Sequence, residues 1–161
     1  DLSSADEFVV TGDEDGWVRV WNSTTHVNVR SAQAISGGEV TSVAYSPDNS
    51  MIAAGLDDDS IELYNPSSMT SIHGKISVDV GSGDYVYDVE FSPDSSLVAV
   101  SIGRSGNGGT NGQVIIIQTS NDNNLVTVSI QTEKTGFTHQ HFRLMEQRLL
   151  LPLMVISTSS I

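Results

Sequence analysis

Residues 45–65 read YSPDNSMIAAGLDDDSIELYN, and residues 91–100 read FSPDSSLVAV. A Ser-Pro-Asp turn thus recurs between two apolar runs. The dominant period around it is two. In EVTSVAYS (39–46), Val40, Ser42, Ala44 and Ser46 share one face, with Thr41, Val43 and Tyr45 on the other. SIELY (60–64) and VRVW (18–21) alternate in the same way. Short β-branched and aromatic runs bounded by Gly, Asp, Asn, Ser and Pro read as strands and turns. No amphipathic helix pattern precedes residue 137.

The strands repeat in a fixed order. VTSVAYSPDNSMIAA (40–54) aligns without gaps on VYDVEFSPDSSLVAV (86–100), at an offset of 46. Val40/Val86, Val43/Val89, Ser46/Ser92, Pro47/Pro93, Asp48/Asp94 and Ala53/Ala99 are identical pairs. VTGDEDGWVRVWN (10–22) aligns on AAGLDDDSIELYN (53–65) at an offset of 43, matching Trp21 to Tyr64 and Asp15 to Asp58. Pro47 and Pro93 preset φ for the first central position of a type I turn, and Asp48 and Asp94 suit the second. Ser46 and Ser92 beside them are placed to accept a turn hydrogen bond.

This pattern resembles the WD-repeat β-propeller family, whose blades end in a tight Asp-Gly turn and a Trp-Asp-like pair. Here those elements are DEDGWVRVWN and, more degenerately, DDDSIELYN. The resemblance covers about residues 8–132. It implies an all-β fold: about three four-stranded antiparallel blades of an incomplete ring. Residues 8–22 would supply the last two strands of one blade, with a linking strand near 27–35. The second blade has strands near 39–46, 51–55 and 60–65, and a linking strand near 72–80. The third has strands near 85–92, 97–102 and 113–118, followed by LVTVSIQT at 125–132. GRSGNGGTNG (103–112) predicts a flexible loop in place of a tight turn.

The family also uses a buried hydrogen-bonded set: a turn Asp, a Ser/Thr on the second strand, a Trp on the third and a His before the first. Asp15, Thr11 and Trp21 match three of these in the first blade. In the second, Asp58 matches, whereas Ala54 and Tyr64 replace the Ser/Thr and the Trp. SGGEV and SGDYV stand where Gly-His is expected. Packing of small residues such as Ala53, Ala54, Gly55 and Ala99 is then expected to supply much of the stability.

The 161 residues suffice for one domain, which buries roughly 70% of its unfolded surface. The net charge of −13, from 20 acidic and 7 basic residues, argues against binding nucleic-acid backbone or anionic membranes. It favours solubility, or a basic partner. With no cysteine, disulfides, thiolate metal sites and a Cys nucleophile are excluded, and a cytoplasmic location is expected. No apolar run approaches membrane-spanning length; LLLPLMVI (149–156) is short and holds a proline. No signal peptide opens the chain, and the start at Asp1 reads as a fragment or a processed end.

Other motifs read as structural. Asn22-Ser23-Thr24 is a sequon of a kind that arises often by chance. DEDG (13–16) and LDDDS (56–60) lack the ligand spacing of a calcium loop. Of His26, His73, His139 and His141, only the last two are close, without further ligands at useful spacing. GNGGTNG lacks the Gly-Lys-Ser/Thr of a phosphate loop, and no GxSxG elbow is present. No catalytic set, metal or cofactor is assigned. Tyr85 and Tyr87 are expected at a core or rim position rather than facing a partner.

The family resemblance implies a non-catalytic scaffold binding other proteins, or further copies or blades that complete the ring. The alternatives are a structural subunit of a filament and, third, a propeller enzyme with a central-channel site, for which Asp88 and Glu90 are the only innermost-strand candidates.

The chain divides into a partial propeller, 1–136, and an anomalous tail, 137–161, where another blade start is due. HQHFRLMEQRLLL reads as a short helix ended by Pro152. Alternatively, reading one base earlier than each codon, a choice among the permitted synonymous codons can spell HTSTFSPDGTKIIAAAYGYFNFIN. Its glycines at the Met145–Glu146 and Met154–Val155 junctions are forced by the code. A frameshift in the underlying nucleotide sequence predicts Ser-Pro-Asp-Gly in the shifted frame of the coding DNA; its absence there eliminates the idea.

Overall fold

The computed structural model describes residues 1–78, 84–104, 111–120 and 128–133. The tail 137–161, with its helix and frameshift readings, His139 and His141, lies outside the described residues. So do the centre of the glycine-rich segment and residues 125–127 of the last expected strand.

The described residues form three separate antiparallel sheets and no helix. The first contains β1 (Phe8–Gly12), β2 (Trp17–Asn22) and β3 (Asn28–Gln33), in that order. The second contains β4 (Val40–Tyr45), β5 (Ile52–Leu56), β6 (Ser60–Tyr64) and β7 (Ser71–Ser77), also in chain order. The third contains β8 (Asp84–Phe91), β9 (Leu97–Arg104), β10 (Asn111–Gln118) and β11 (Val128–Glu133), hydrogen-bonded in sequence.

The sheets stack face to face. Val10, Val18 and Val20 of the first pack on Ile52, Ala54, Leu56 and Tyr64 of the second. The other face of the second sheet, with Ala53, Ile61 and Leu63, packs on Val98, Val100, Ile115 and Ile117 of the third. The second sheet is therefore covered on both sides, and every residue of β5 and β6 is buried. This is why IAAGL is a continuous apolar run rather than an alternating one. Each fully buried Ile or Leu contributes about 1.5–3 kcal/mol.

Two glycines set how closely the sheets approach. A Cβ on Gly12 would lie 2.2 Å from Val40 Cγ1, and one on Gly55 would lie 2.4 Å from Val86 Cγ1. These contacts are counterparts in successive repeats. In each, the end of the second strand receives the first valine of the next sheet's innermost strand.

Two sequence expectations are corrected. The first repeat does not begin at residue 8. Leu2 bridges Val9 in the place of an innermost strand, and residues 3–6 make the same turn as the two Ser-Pro-Asp sites. The segment 103–112 is not wholly a loop: β9 runs to Arg104 and β10 starts at Asn111. Pairing on both sides, to β8 and to β11, extends these strands past their glycine and asparagine residues.

Candidate functional site

The repeated turn is built the same way three times. Ser3, Ser46 and Ser92 each accept at their backbone C=O from the residue three positions on, Asp6, Asn49 or Ser95. Each of their hydroxyl oxygens also accepts a backbone N–H: Phe8 at 3.0 Å, Met51 at 2.9 Å and Leu97 at 3.0 Å. Asp6, Asn49 and Ser95 have φ of 54°, 59° and 61°. Asp and Asn accept this left-handed conformation more readily than most residues.

Pro47 and Pro93 occupy the first central position of their turns, and Asp48 and Asp94 the second. Asp48 Oδ1 accepts from Ser50 N–H at 2.9 Å and from the hydroxyls of Ser46 at 2.7 Å and Ser50 at 2.8 Å. Asp94 Oδ1 accepts from the Ser92 and Ser96 hydroxyls at 2.6 and 2.7 Å, and from Ser96 N–H at 3.1 Å. The Ser50 N–H, with the serine hydroxyls, holds the Asp48 carboxyl at about 2. The hydroxyls of Ser92 and Ser96 hold Asp94 at about 2.

The turns also join neighbouring sheets. Ser4 N–H donates to Asn49 Oδ1 at 3.0 Å, and Asp48 N–H donates to Ser95 Oγ at 3.2 Å. The residue at the left-handed position, Asn49 or Ser95, thus ends its own hairpin and bonds through its side chain to the turn before it.

Among the residues matched to the family's hydrogen-bonded set, Trp21 Nε1–H donates to Thr11 Oγ1 at 2.9 Å. Asp15 is exposed, and only its backbone hydrogen-bonds among the described residues. The turn carboxylate is Asp13, two positions earlier. It accepts from Asp15 and Trp17 N–H at 3.1 and 2.9 Å and pairs with the Arg19 guanidinium, which holds it below the usual carboxylate range. An Asp at the first position of a type I turn caps the amides that follow it, and this geometry selects Asp13. In the second sheet, burial pushes the Asp58 carboxyl up, but hydrogen bonds from Lys75, Ser60 and Ser36 outweigh it and hold it low.

Sequence reasoning missed Glu62 and Asp57. Glu62 is 0% exposed. Its Oε2 accepts the Tyr64 hydroxyl at 2.8 Å, and its Oε1 accepts Ile35 N–H at 2.7 Å. Burial, with Glu62 beside it, pushes the Tyr64 phenol up, so it remains a donor. Asp57 bonds reciprocally to Glu39: its Oδ1 accepts Glu39 N–H, and its own N–H donates to Glu39 C=O. Where a His side chain was expected, Glu62 and Asp57 thus tie the segment entering β4 to the second sheet. No sequence signal marked them, because both partners come from a segment distant in the chain.

Of the central-channel candidates, Asp88 is engaged. Asp88 Oδ1 accepts the Ser42 hydroxyl at 2.9 Å, linking β4 to β8. The Tyr85 and Tyr87 rings lie 4.5 Å apart, joined by a 3.0 Å hydroxyl contact. Tyr87 is 48% exposed, at the rim. Among the described residues no group of three or more His, Asp or Glu side chains is arranged to hold a metal.

The family described as WD domain, G-beta repeat, matches residues 1–22 and 27–65. No curated protein matches the sequence. The β-propeller domain of Myceliophteria thermophila Cps50 (Swd1) is similar at 14% identity and a TM-score of 0.63, over 89% of this chain and 40% of that one. Kuenenia stuttgartiensis hydrazine synthase is similar at 20% identity and a TM-score of 0.66, over 84% of this chain and 35% of that one. At these identities both likenesses show the fold alone. The chain therefore spans 35–40% of the length of these solved chains.

Two outcomes are expected. Glu62→Leu strips acceptors from the buried Tyr64 hydroxyl and the part-buried Ile35 N–H and lowers the unfolding free energy by about 2–3 kcal/mol. Glu62→Gln, which keeps one carbonyl acceptor, loses less. Urea denaturation checks this, and an E62L variant as stable as the parent would contradict it. The second concerns acid. Carboxyls with lowered folded-state pKa add stability that is complete above about pH 4 and is lost as pH falls through about 2. Asp48→Ala with Asp94→Ala is expected to flatten the fall in stability between those values; an unchanged slope would contradict it.

Proposed function

We propose that this chain, with its propeller fold and its WD-repeat matches over residues 1–22 and 27–65, is a non-catalytic scaffold for protein–protein interaction. WD-repeat propellers generally bind other proteins. The observation carrying the reading is the employment of the carboxylates. Asp13, Asp48, Asp57, Asp58, Glu62, Asp88 and Asp94 all accept hydrogen bonds that fix turns, linkers or neighbouring strands. Residues that could carry acid–base chemistry are committed to holding a rigid stack, and the stack presents its turns as a binding surface.

A second reading, a subunit of a larger assembly, is favoured by one face of the first sheet. Thr11 is exposed there, and Trp17, Arg19 and Trp21 are only partly covered. Their counterparts Ala54, Ser60, Glu62 and Tyr64 are buried against a preceding sheet. The occupant of that face would be a further blade or another copy.

Affinity capture with the full chain is expected to recover protein partners, while light scattering reports a concentration-independent mass. Turnover of a small substrate by the purified chain, without any captured partner, would contradict the scaffold. A mass that rises with concentration, and falls on Trp17→Glu, would favour the assembly.

A further inference from the structure

A cavity of about 230 Å³ opens between the first and second sheets, beside the Ser-Pro-Asp turn. Glu7, Phe8, Arg30, Tyr45, Asn49 and Pro66 line it. The Arg30 guanidinium lies over the Phe8 ring, 5.6 Å from its centroid. Stacking on an aromatic face orients the guanidinium and leaves its N–H edge available.

Two basic side chains have carboxylate partners: Arg19 with Asp13, and Lys75 with Asp58. The Arg30 side chain has no ion pair or hydrogen bond among the described residues, in a chain with 20 acidic ones. The Tyr45 hydroxyl also makes no hydrogen bond there, although the residue is only 7% exposed. Burial raises the Tyr45 pKa, Arg30 opposes this and Glu7 adds to it, so the phenol stays protonated as a donor.

The repeat separates packing from recognition. An offset of 43 places Met51 where Phe8 stands and an offset of 46 places Phe91 where Tyr45 stands, while the strand ladders, offset by 44 here, place Gly74 where Arg30 stands. Apolar bulk recurs at the packing positions because the stack needs it. The guanidinium and the hydroxyl do not recur, so the fold does not require them.

We infer that this cavity receives one carboxylate side chain of a partner protein, gripped by the Arg30 guanidinium and the Tyr45 hydroxyl. Arginine binds carboxylates through two parallel N–H donors. The volume is below the range of about 300–1,000 Å³ that encloses drug-sized ligands, and it suits a single side chain. Glu7 in the lining repels a doubly charged phosphate more than a singly charged carboxylate.

The inference deepens the scaffold reading and rests on it, but its test is separate: peptide binding here can fail while partners are captured through another surface. The ¹⁵N-labelled full chain is titrated with a blocked Gly-Glu-Gly peptide, its Gln counterpart and its phosphoserine counterpart. With the Glu peptide, the Arg30 Nε–H and the Phe8 and Tyr45 amide signals are expected to shift saturably; with Gln they are expected to stay put. Arg30→Gln abolishes the shifts while the rest of the spectrum is retained. Tyr45→Phe, the residue found at the corresponding place in the third sheet, weakens binding by about tenfold or more, the loss of one hydrogen bond to a charged group. No saturable shift at tens of millimolar peptide, equal response to Gln, survival of binding in R30Q, or tighter binding of phosphoserine would each overturn the assignment.

Discussion

The stack depends on how closely one innermost strand can approach the sheet before it. At Gly12 and again at Gly55, the missing side chain is the space that a valine of the next sheet fills: Val40 in one case, Val86 in the other. Any Cβ would overlap those methyls. With the gap closed, the β-branched faces meet and exclude water, and the second sheet is buried on both sides. Spacing of the strands at the centre thus governs burial across the whole face.

Polar groups then fix what apolar packing alone leaves adjustable. Burial is non-directional, and flat apolar faces permit sliding. The turn-to-turn bonds Ser4–Asn49 and Asp48–Ser95 set the register between sheets at one end. Glu62, reaching Ile35, sets it where the chain passes from the first sheet to the second. These are hydrogen bonds between groups more than 25 residues apart in sequence. Removing one partner leaves a donor without an acceptor, which costs more than the bond itself contributes. Such rigidity is what a scaffold requires of the surface it presents.

How much of this could be read from sequence differs by element. Strand alternation and the two gapless alignments carry the fold, because period and repeat are local properties. Ser46 and Ser92 lie in plain view beside proline and aspartate, whereas the equivalent turn at Ser3 keeps only the serine and was not recognised. Asp15 was matched by counting along the repeat, but amide geometry in the turn selects Asp13. Glu62 lies opposite Ile61 and Leu63 in an alternating strand, the pattern of a solvent face; a neighbouring sheet covers that face, which no local pattern records. Arg30 looks like an ordinary edge-strand cation until the structure shows what it lies over and what it lacks.

The most direct test of the stacking account is a double-mutant cycle between Gly55 and Val86 by chemical denaturation. Gly55→Ala alone is predicted to destabilise by about 1–3 kcal/mol through overpacking. In the Val86→Ala background, where the methyls it would strike are gone, the same change should cost less by more than about 0.5 kcal/mol, the usual limit of additivity for independent sites. Additive single effects, or a Gly55→Ala variant as stable as the parent, would contradict the claim that close approach at this glycine holds the sheets together.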